Sequence, residues 1–524
     1  MEKLHNNVLL ADNFQEFTSD AQNVPYLKNP PKVIDVTVGR QLFVDGFLIE
    51  KTTLKAIPHE AKKYENNPVL KPETEWEKDG LPVACPKDGG VWYDEEEGVF
   101  KAWYEAGWLR HMCYATSKDG ITWERPNLGI VGDSNIILPY EWRGLYYYHA
   151  DESYLRPDST TVWVDYECDK SQKYKLFLRN PSDVTSPKIG DPFPAIVATS
   201  ADGIHFENFR LTKGGMGDRS TAFYNPFRKK WAYSLRSGGG ANTPVRVRKY
   251  WESDDFLSAG EWELENLPTW MKADEKDEPN PYLGQKPQLY NFSCIAYESI
   301  IFGLCQLHFG PNNSECEKYG VPKITELQPA YSRDGYHFSR PHRVSIVRAS
   351  MYEGAWDRGY VQSVGGGLIV CGDEMRLYYT GFAGDKTRVN TDGAYNPEDW
   401  VKNGMYANGA TGFATLRRDG FVSMDGKGEL LTRTLTMQNK SSLHINAVGF
   451  VCVGILDESG TLLAVSEKFC GDSTNAKLQF PDFEVQSLNG KNFRLHFKVD
   501  GSLYAFGFAD KNGEFGGRRA AGIR

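Results

Sequence analysis

The chain lacks the patterns that mark membrane, nucleic-acid-binding and zinc proteins. Its 524 residues contain no apolar run of bilayer length, and its first residues, MEKLHNNVLLADNFQEF, lack the apolar segment of a signal peptide. The formal net charge is −9, so no surplus of Lys and Arg is present to neutralise phosphates. The ten His residues show neither HExxH nor HxH spacing. We therefore expect a soluble, cytoplasmic protein (periplasmic or secreted if a signal peptide was removed) that binds neither nucleic acid nor membrane and has no metal site or other cofactor.

Paired cysteines and helical periodicity are also missing. The nine Cys residues are scattered and odd in number, and none forms a CxxC pair, which indicates reduced thiols. The sequence is instead rich in aromatic residues, with 28 Tyr, 28 Phe and 13 Trp, and these favour β-strands. Aromatic rings also pack on the C–H faces of sugars. An all-β fold is the expectation.

One turn motif recurs along the chain. YATSKDGITWERP (114–126) is followed by VATSADGIHFENF from residue 197, AYSRDGYHFSRP from 330 and ATLRRDGFVSM from 414, with a weaker copy, YWESDDFLSAGEW, from 250. An Asp-Gly pair between strand-like runs predicts a hairpin, because Gly adopts the positive φ that such turns need. The motif therefore predicts five units that turn at Asp119, Asp202, Asp254, Asp334 and Asp419, with each Asp capping its own turn as scaffold.

Each unit contains four strand-like segments, which is the content of a propeller blade. The sequence therefore predicts a five-bladed β-propeller over residues 65–428, preceded by an N-terminal arm and hairpin at 1–64. From about Leu431 the segments alternate apolar and polar residues but lack the turn motif. This change predicts a C-terminal β-sandwich at 429–524.

The candidate site follows from the predicted propeller. The first strand of each blade lines the central channel, so acids just before these strands converge at one end. The catalytic candidates are Asp88, Asp218 and Glu298. The substrate-binding candidates are Asp151, Glu152, Arg219, Asp357, Arg358 and Gln362.

Carboxyl groups from neighbouring blades suit the cleavage of a glycosidic bond, in which one carboxyl protonates the leaving oxygen and another activates water or attacks the anomeric carbon. Asp88 is expected to be the ionised base or nucleophile, because the glycines after it leave it accessible. Glu298 is expected to donate the proton, because its apolar surroundings, CIAYESIIFG, would raise its pKa.

Four segments carry a resemblance to known enzymes: YATSKDGITWERP, GDRSTAFYNPFRKKWAYSLR, AYSRDGYHFSRP and DRGYVQSVGGG. Together with the C-terminal alternation, they resemble five-bladed propeller glycosidases related to glycoside hydrolase families 32, 43 and 68, and more closely the bacterial proteins labelled glycosyl hydrolase family 32-like. The resemblance implies an acid from each of the first three blades and a sugar-sized pocket. It implies that Asp88 is the first-blade acid and that Asp218 and Arg219 mark a further functional position. The WMNDPNG, RDP and EC motifs of those enzymes are absent.

The main hypothesis is a glycoside hydrolase acting on a small or exo-terminal carbohydrate. A propeller that binds carbohydrate without catalysis is the first alternative. A glycoside phosphorylase is the second, and it requires a basic cluster near the acids, for which Arg246, Arg248 and Lys249 are candidates. A sialidase is disfavoured, because its Asp box has a residue between Asp and Gly.

Overall fold

The computed structural model describes residues 1–12, 14–15, 23–139, 158–179, 193–239, 245–258, 260–390 and 402–524. Strands dominate these ranges, and their α-helices are the short α1 (Pro25–Lys28) and α2 (Asn313–Tyr319). Single 3₁₀ turns lie at Lys170–Gln172, Leu264–Asn266, Gly404–Tyr406 and Val485–Leu488. The prediction of an all-β chain is confirmed. None of the helices in these ranges has the length and apolar character needed to cross a membrane.

The N-terminal part contains short strands: β1 (Glu2–Lys3), β2 (Leu9–Leu10), β3 (Ile34–Asp35), β4 (Gln41–Leu42), β5 (Ile49–Thr52), β6 (Lys55–Pro58) and β7 (Lys62–Lys63). Four groups of four antiparallel strands follow in chain order, and each group is called a sheet below. The first sheet contains β8 (Ala84–Asp94), β9 (Val99–Ala106), β10 (His111–Ser117) and β11 (Ile136–Leu138). The second contains β12 (Asp158–Val164), β13 (Tyr174–Arg179), β14 (Phe193–Ser200) and β15 (Glu207–Met216).

The third sheet contains β16 (Thr221–Asn225), β17 (Lys230–Ser237), β18 (Val247–Ser253) and β19 (Thr269–Met271). The fourth contains β20 (Gln288–Glu298), β21 (Ile300–Gly310), β22 (Ile324–Ser332) and β23 (Phe338–Ser339). The fifth contains β24 (Gly359–Cys371), β25 (Glu374–Phe382) and β26 (Gly409–Arg417), with β7 as its outer strand. The remaining strands are β27 (Val422–Thr432), β28 (Leu435–Thr436), β29 (Ser442–Asp457), β30 (Leu462–Val465), β31 (Phe469–Lys477), β32 (Phe493–Ala509) and β33 (Arg518–Arg519). Strands β27 to β32 form one sheet with β3 to β6, which we call the C-terminal sheet. β33 adds a fifth strand to the fourth sheet, and a parallel bridge between β24 and β8 joins the fifth sheet to the first.

The first strands of the five sheets form a closed ring. β8, β12, β16, β20 and β24 contact one another in that order, and β24 returns to β8. Buried aromatic residues fill the space between adjacent sheets, as in the edge-on contacts of Trp163 with Trp92 at 4.8 Å and with Trp231 at 6.2 Å. The side chains at the start of these strands therefore surround one central axis.

The recurrent turn connects neighbouring sheets. In three copies, at Asp119, Asp202 and Asp334, the Asp Oδ1 accepts the two backbone N–H groups that follow the Gly, and a Ser hydroxyl two residues earlier donates to the same oxygen. The backbone carbonyls in these turns accept from rings of the adjacent sheet: Gly120 from Tyr378, Gly203 from Trp103 and Tyr336 from Trp270. The capping role is confirmed for these three copies.

The prediction is wrong for the other two turns. Asp254 pairs with Lys230, and Asp255 accepts the turn N–H of Ser258 instead. Asp419 is fully buried, and its carboxylate pairs with Arg40 at 2.5 Å and accepts the Tyr297 hydroxyl, so it joins the ring to the C-terminal sheet. Neither copy has the Ser-Lys/Ala/Arg-Asp-Gly sequence of the other three.

The N-terminal segment does not stand apart from the rest of the chain. β3, β4, β5 and β6 pair with strands of the C-terminal sheet, and β7 completes the fifth sheet by pairing with β26. The limit predicted at residue 64 leaves β7, which ends at Lys63, outside the propeller although it pairs with β26. The limit predicted at residue 428 lies inside β27. Local patterns do not reveal these pairings, since the paired residues are more than 350 positions apart.

Gly203 tests the role of the turn as a connector. Its φ is +76°, and an added Cβ would lie 2.6 Å from Cζ2 of Trp103. We expect Gly203→Val to lower the free energy of unfolding by about 2 kcal/mol or more, from backbone strain and overpacking. Gly46→Val is the matched control, because a Cβ at Gly46 meets nothing within 4 Å. Urea unfolding measures both, and equal losses in the two variants would contradict the assignment.

Candidate functional site at the mouth of the ring

The first strands are irregular at the end of the ring where they begin, which we call the mouth. Strand register shifts between Cys85 and Gly90, and comparable shifts occur near the start of β12, β20 and β24. Four non-glycine residues here have positive φ values between 48° and 61°: Lys87, Ser159, Arg219 and Tyr360. Bulges and left-handed residues of this kind redirect side chains and are concentrated at functional sites. At the mouth the consecutive residues Lys87 and Asp88 are both buried against charged partners.

A buried ion pair lies at the centre of the mouth. The Arg219 Nη1 is 2.8 Å from Asp88 Oδ2, and neither side chain is more than 1 % exposed. Asn291 donates to Asp88 Oδ1 at 2.5 Å, and Arg219 donates to Gln306 at 3.2 Å. Burial raises the pKa of Asp88 to about 6, and the charges of Arg219, Lys87 and Arg248 limit the rise. Asp88 thus links the first, third and fourth sheets.

A second charged cluster lies around Lys87. Its Nζ is 2.8 Å from Glu105 Oε2 and 3.1 Å from Asp158 Oδ1, and Arg179 Nη1 is 2.7 Å from Asp158 Oδ2. Burial raises the pKa of Glu105 to about 7, and Lys87 and the Leu109 N–H offset this only in part. For Asp158 the effect of burial is outweighed by Lys87 and Arg179, and its pKa is lowered. The pKa values of two acids that share one lysine are therefore shifted in opposite directions.

Asp218 is the most exposed of the four mouth acids, with 30 % of its side chain accessible. It pairs with Arg236 and accepts the Tyr290 hydroxyl at 3.1 Å. Burial alone would raise the pKa of Asp218. The charges of Arg236, Arg179, Arg246 and Lys323, in that order of effect, outweigh burial and hold it well below the ordinary range.

Aromatic rings line the mouth beside these charges. Trp108 stacks on Tyr406 with centroids 4.1 Å apart, and Lys87 Nζ lies 4.0 Å from the Trp108 ring centroid. Tyr360 lies next to Tyr406, and its hydroxyl is 3.3 Å from that of Tyr290. We call Trp108, Tyr290, Tyr360 and Tyr406 the aromatic cluster. Within the described ranges, no group of three or more His, Cys, Asp and Glu side chains is arranged to hold a metal ion.

The structure brings together three of the residues selected from the sequence: Asp88, Asp218 and Arg219. Asp88 is not the accessible base that the sequence predicts, because its side chain is 0 % exposed and contacts Arg219 and Asn291. The glycines beside it pack against backbone of the ring instead of opening a path to it. Asp151 and Glu152 lie outside the described residues.

Glu298 lies away from the mouth, so the prediction that it donates the proton there is wrong. It ends β20, seven residues after Asn291, which at roughly 3.3 Å per strand residue is about 23 Å along the strand. Its carboxylate accepts the Arg40 N–H at 3.1 Å and lies 3.6 Å from Arg418. Burial does raise its pKa, with Asp419 adding to the effect. Burial therefore acts on Glu298 as its apolar neighbours predict, but at the opposite end of the ring.

The fifth-sheet candidates have partners of their own. Asp357 pairs with Lys63 at 2.6 Å and accepts the Tyr379 hydroxyl at 3.0 Å. The carbonyl of Arg358 accepts from the Met351 N–H, and Gln362 accepts from Thr380 on β25 at 3.2 Å. None of these contacts involves Asp88, Asp158 or Asp218.

Several mouth residues were not selected from the sequence, and two signals identify them. The first signal is position: Asp158 immediately precedes the strand-like segment STTVWV, as expected for an acid at the start of a first strand. The second signal is strand direction: the end of the second strand lies beside the start of the first in an antiparallel pair. Residues near those ends reach the mouth in three consecutive sheets, namely Glu105 on β9, Arg179 on β13 and Arg236 on β17.

The three basic residues considered for a phosphorylase, Arg246, Arg248 and Lys249, do not form one cluster. Arg248 is fully buried, and its guanidinium donates to the backbone carbonyl oxygens of Tyr290, Arg219 and Ser234. Its hydrogen-bond donors are therefore used within the fold. Lys249 points to the outer edge and donates to the Leu267 carbonyl at 2.8 Å. Arg246 remains at the mouth, over the Tyr290 ring at 5.0 Å.

The ion pair between Asp88 and Arg219 gives a stability prediction. Arg219→Met leaves a buried carboxylate without its charge partner, so we expect a loss of about 3–5 kcal/mol in the free energy of unfolding. Adding Asp88→Asn removes that carboxylate charge and should recover part of the loss. Urea unfolding of the two single variants and the double variant measures the coupling. Strictly additive effects would contradict a direct interaction.

No family model matches the sequence. No curated protein matches it either. Solved structures similar to the chain include an N-acetylgalactosamine deacetylase from F. plautii, with 14 % identity, coverage of 70 % of this chain and 96 % of that chain, and a TM-score of 0.47. They include a glycoside hydrolase family 43 arabinoxylan arabinofuranohydrolase from Bacillus subtilis, with 11 % identity, coverage of 82 % and 84 %, and a TM-score of 0.33. A fructofuranosidase from Schwanniomyces occidentalis has 11 % identity, coverage of 86 % and 98 %, and a TM-score of 0.36. The likeness is one of fold, to structures that include glycoside hydrolases.

Proposed function

We propose that the five sheets are the blades of a five-bladed β-propeller and that β27 to β32, with β3 to β6, form a β-sandwich beside it. The cyclic contacts of β8, β12, β16, β20 and β24 support the first part. The long antiparallel pair β29 and β32, whose inward residues are buried, supports the second. The mouth is then one end of the propeller channel.

We propose that the mouth cleaves a glycosidic bond. The observation that carries this proposal is a cluster of carboxyls in unequal surroundings at the mouth: Glu105 and Asp158 share Lys87, Asp158 also pairs with Arg179, and Asp218 pairs with Arg236. These surroundings raise the pKa of Glu105 to about 7 and lower the pKa values of Asp158 and Asp218. Acid–base cleavage of a glycoside needs one protonated and one ionised carboxyl at neutral pH, and environments that push the two pKa values apart supply them.

Glu105 takes the role of proton donor in this proposal, and Asp218 that of base or nucleophile. Glu105 gives its proton to the leaving glycosidic oxygen as the C–O bond breaks. Asp218, which is ionised and the most accessible acid, attacks the anomeric carbon or removes a proton from the attacking water. Asp158 holds Lys87 and Arg179 in place, and Asp88 holds Arg219.

The substrate is proposed to be a small carbohydrate or the end of a longer one. The aromatic cluster lies beside the acids, with its rings 8 % exposed or less and packed on one another, so it supports the walls of the site. Residues 518–523 cross the far end of the ring, where β33 pairs with β20 and Ala521 and Gly522 bond to the backbones of Tyr93, Leu368 and Val370. In this proposal a glycan enters from the mouth, because these residues cover the far end in the described part of the chain, and this favours binding of a chain terminus.

Glu105→Gln and Glu298→Gln discriminate between the two proposed proton donors. We expect Glu105→Gln to lower kcat by about 10²-fold or more on glycosides with poor leaving groups and much less on activated nitrophenyl glycosides. Glu298→Gln is the matched control and should leave kcat of the folded enzyme unchanged. Asp218→Asn should lower kcat on both substrate types. Leaving-group dependence in Glu298→Gln, or its absence in Glu105→Gln, would contradict the assignment.

The pH dependence follows from the same two groups. Glu105 must be protonated to act, so kcat/KM should fall as pH rises through about 7. Asp218 must be ionised, and because its pKa lies below the ordinary range, the acid limb should lie below about pH 4. A pH–rate profile on any hydrolysed glycoside measures both limbs. A basic limb that persists unchanged in Glu105→Gln would count against Glu105.

A further inference from the structure

Lys323 is a buried cation with no carboxylate partner among the residues that the structure describes. It is 1 % exposed, and its Nζ donates to Asn313 Oδ1 at 2.9 Å. It also lies 4.7 Å from the ring centroid of Tyr360 and 5.0 Å from that of Tyr290. An ammonium group has three donors, and a buried charge is costly unless it is paired. Two of the three donors of Lys323 therefore lack an acceptor in the described ranges.

Arg246, which is partly exposed, is a second cation without a carboxylate partner among the described residues, and it lies next to the same ring. Its guanidinium carbon lies 5.0 Å from the Tyr290 centroid, and its Nη1 donates to Gln288 Oε1 at 2.8 Å. The Arg246 Nε is buried and has no hydrogen-bond partner within the described part of the chain. The Tyr290 hydroxyl donates to Asp218. Both cations therefore lie beside the acid that is proposed to act on the substrate.

The charged residues that the structure describes at the mouth have an excess of positive charge, opposite in sign to the whole chain. The described mouth residues include four acids, Asp88, Glu105, Asp158 and Asp218, and seven cations, Lys87, Arg179, Arg219, Arg236, Arg246, Arg248 and Lys323. The chain as a whole has a formal net charge of −9. A local excess of positive charge in an acidic protein attracts anions to one place.

We propose that Lys323 and Arg246 form an oxyanion subsite beside Asp218, so that the ligand carries a carboxylate, sulfate or phosphate group. The inference rests on the proposed glycoside chemistry and specifies its substrate class. The free donors of the two side chains would make charge-assisted hydrogen bonds to the oxyanion. They would also offset the repulsion between the anion and Asp218. The oxyanion belongs either to an acidic sugar or to free inorganic phosphate or sulfate.

Calorimetric titration of the full chain tests the subsite without requiring turnover. The probes are glucuronic and galacturonic acid, the neutral sugars glucose and galactose, and inorganic phosphate and sulfate. We expect at least one anionic probe to bind tenfold or more tightly than the neutral sugars, with an affinity that falls as salt is added. Tighter binding of a uronic acid than of inorganic anions would assign the oxyanion to the sugar. Equal or tighter binding of phosphate or sulfate would assign it to a free anion.

Variants locate the binding. Arg246→Gln and Lys323→Met should each weaken the anionic probe tenfold or more and leave neutral-sugar binding unchanged. Arg210→Gln and Lys118→Met, at exposed positions outside the mouth, are the matched controls. If Lys323→Met fails to fold, Arg246→Gln carries the test, because Arg246 is partly exposed. No preference for anions, or folded variants that bind the anion as well as the parent does, would overturn the subsite. The kinetics of Glu105→Gln and Asp218→Asn test the glycoside chemistry separately.

Discussion

The arrangement of the mouth depends on the ion pair between Asp88 and Arg219. Its two side chains come from different sheets and are removed from water, so the pair is stable only while the surrounding groups keep their places. Asn291 donates a hydrogen bond to Asp88, and Arg219 donates one to Gln306. The pair therefore fixes the first, third and fourth sheets relative to one another, and the other mouth acids are attached to the same strands.

Strained backbone and unequal charge compensation turn this frame into a chemical site. Lys87, Ser159 and Arg219 each adjoin a mouth acid and have positive φ, which costs of order 1–3 kcal/mol per residue. All the mouth acids are largely buried, so burial alone would raise each pKa. The nearby cations make the difference: Lys87 is the main cation that offsets burial at Glu105, whereas Arg236, Arg179, Arg246 and Lys323 all act on Asp218.

Much of the fold and part of the site could be predicted from the sequence, for local reasons. The Ser-x-Asp-Gly turn closes through hydrogen bonds within six residues, so its sequence identifies it wherever the whole motif is present. The turns at Asp254 and Asp419 lack that set and behave differently. Asp88, Asp218 and Arg219 were found because each lies directly before or within a first strand. Glu105 was missed because it reaches the mouth only through an antiparallel neighbour.

The sequence by itself determined the all-β class, the repeating turns and the acids at the start of two first strands, because strand alternation and turn chemistry act over a few residues. The tertiary structure alone decided which strand ends meet. Glu298 has the apolar neighbours of a proton donor, yet it lies at the far end of β20, whereas Glu105 lies at the mouth. It also decided protonation, because a pKa depends on charges brought close in space from distant parts of the chain.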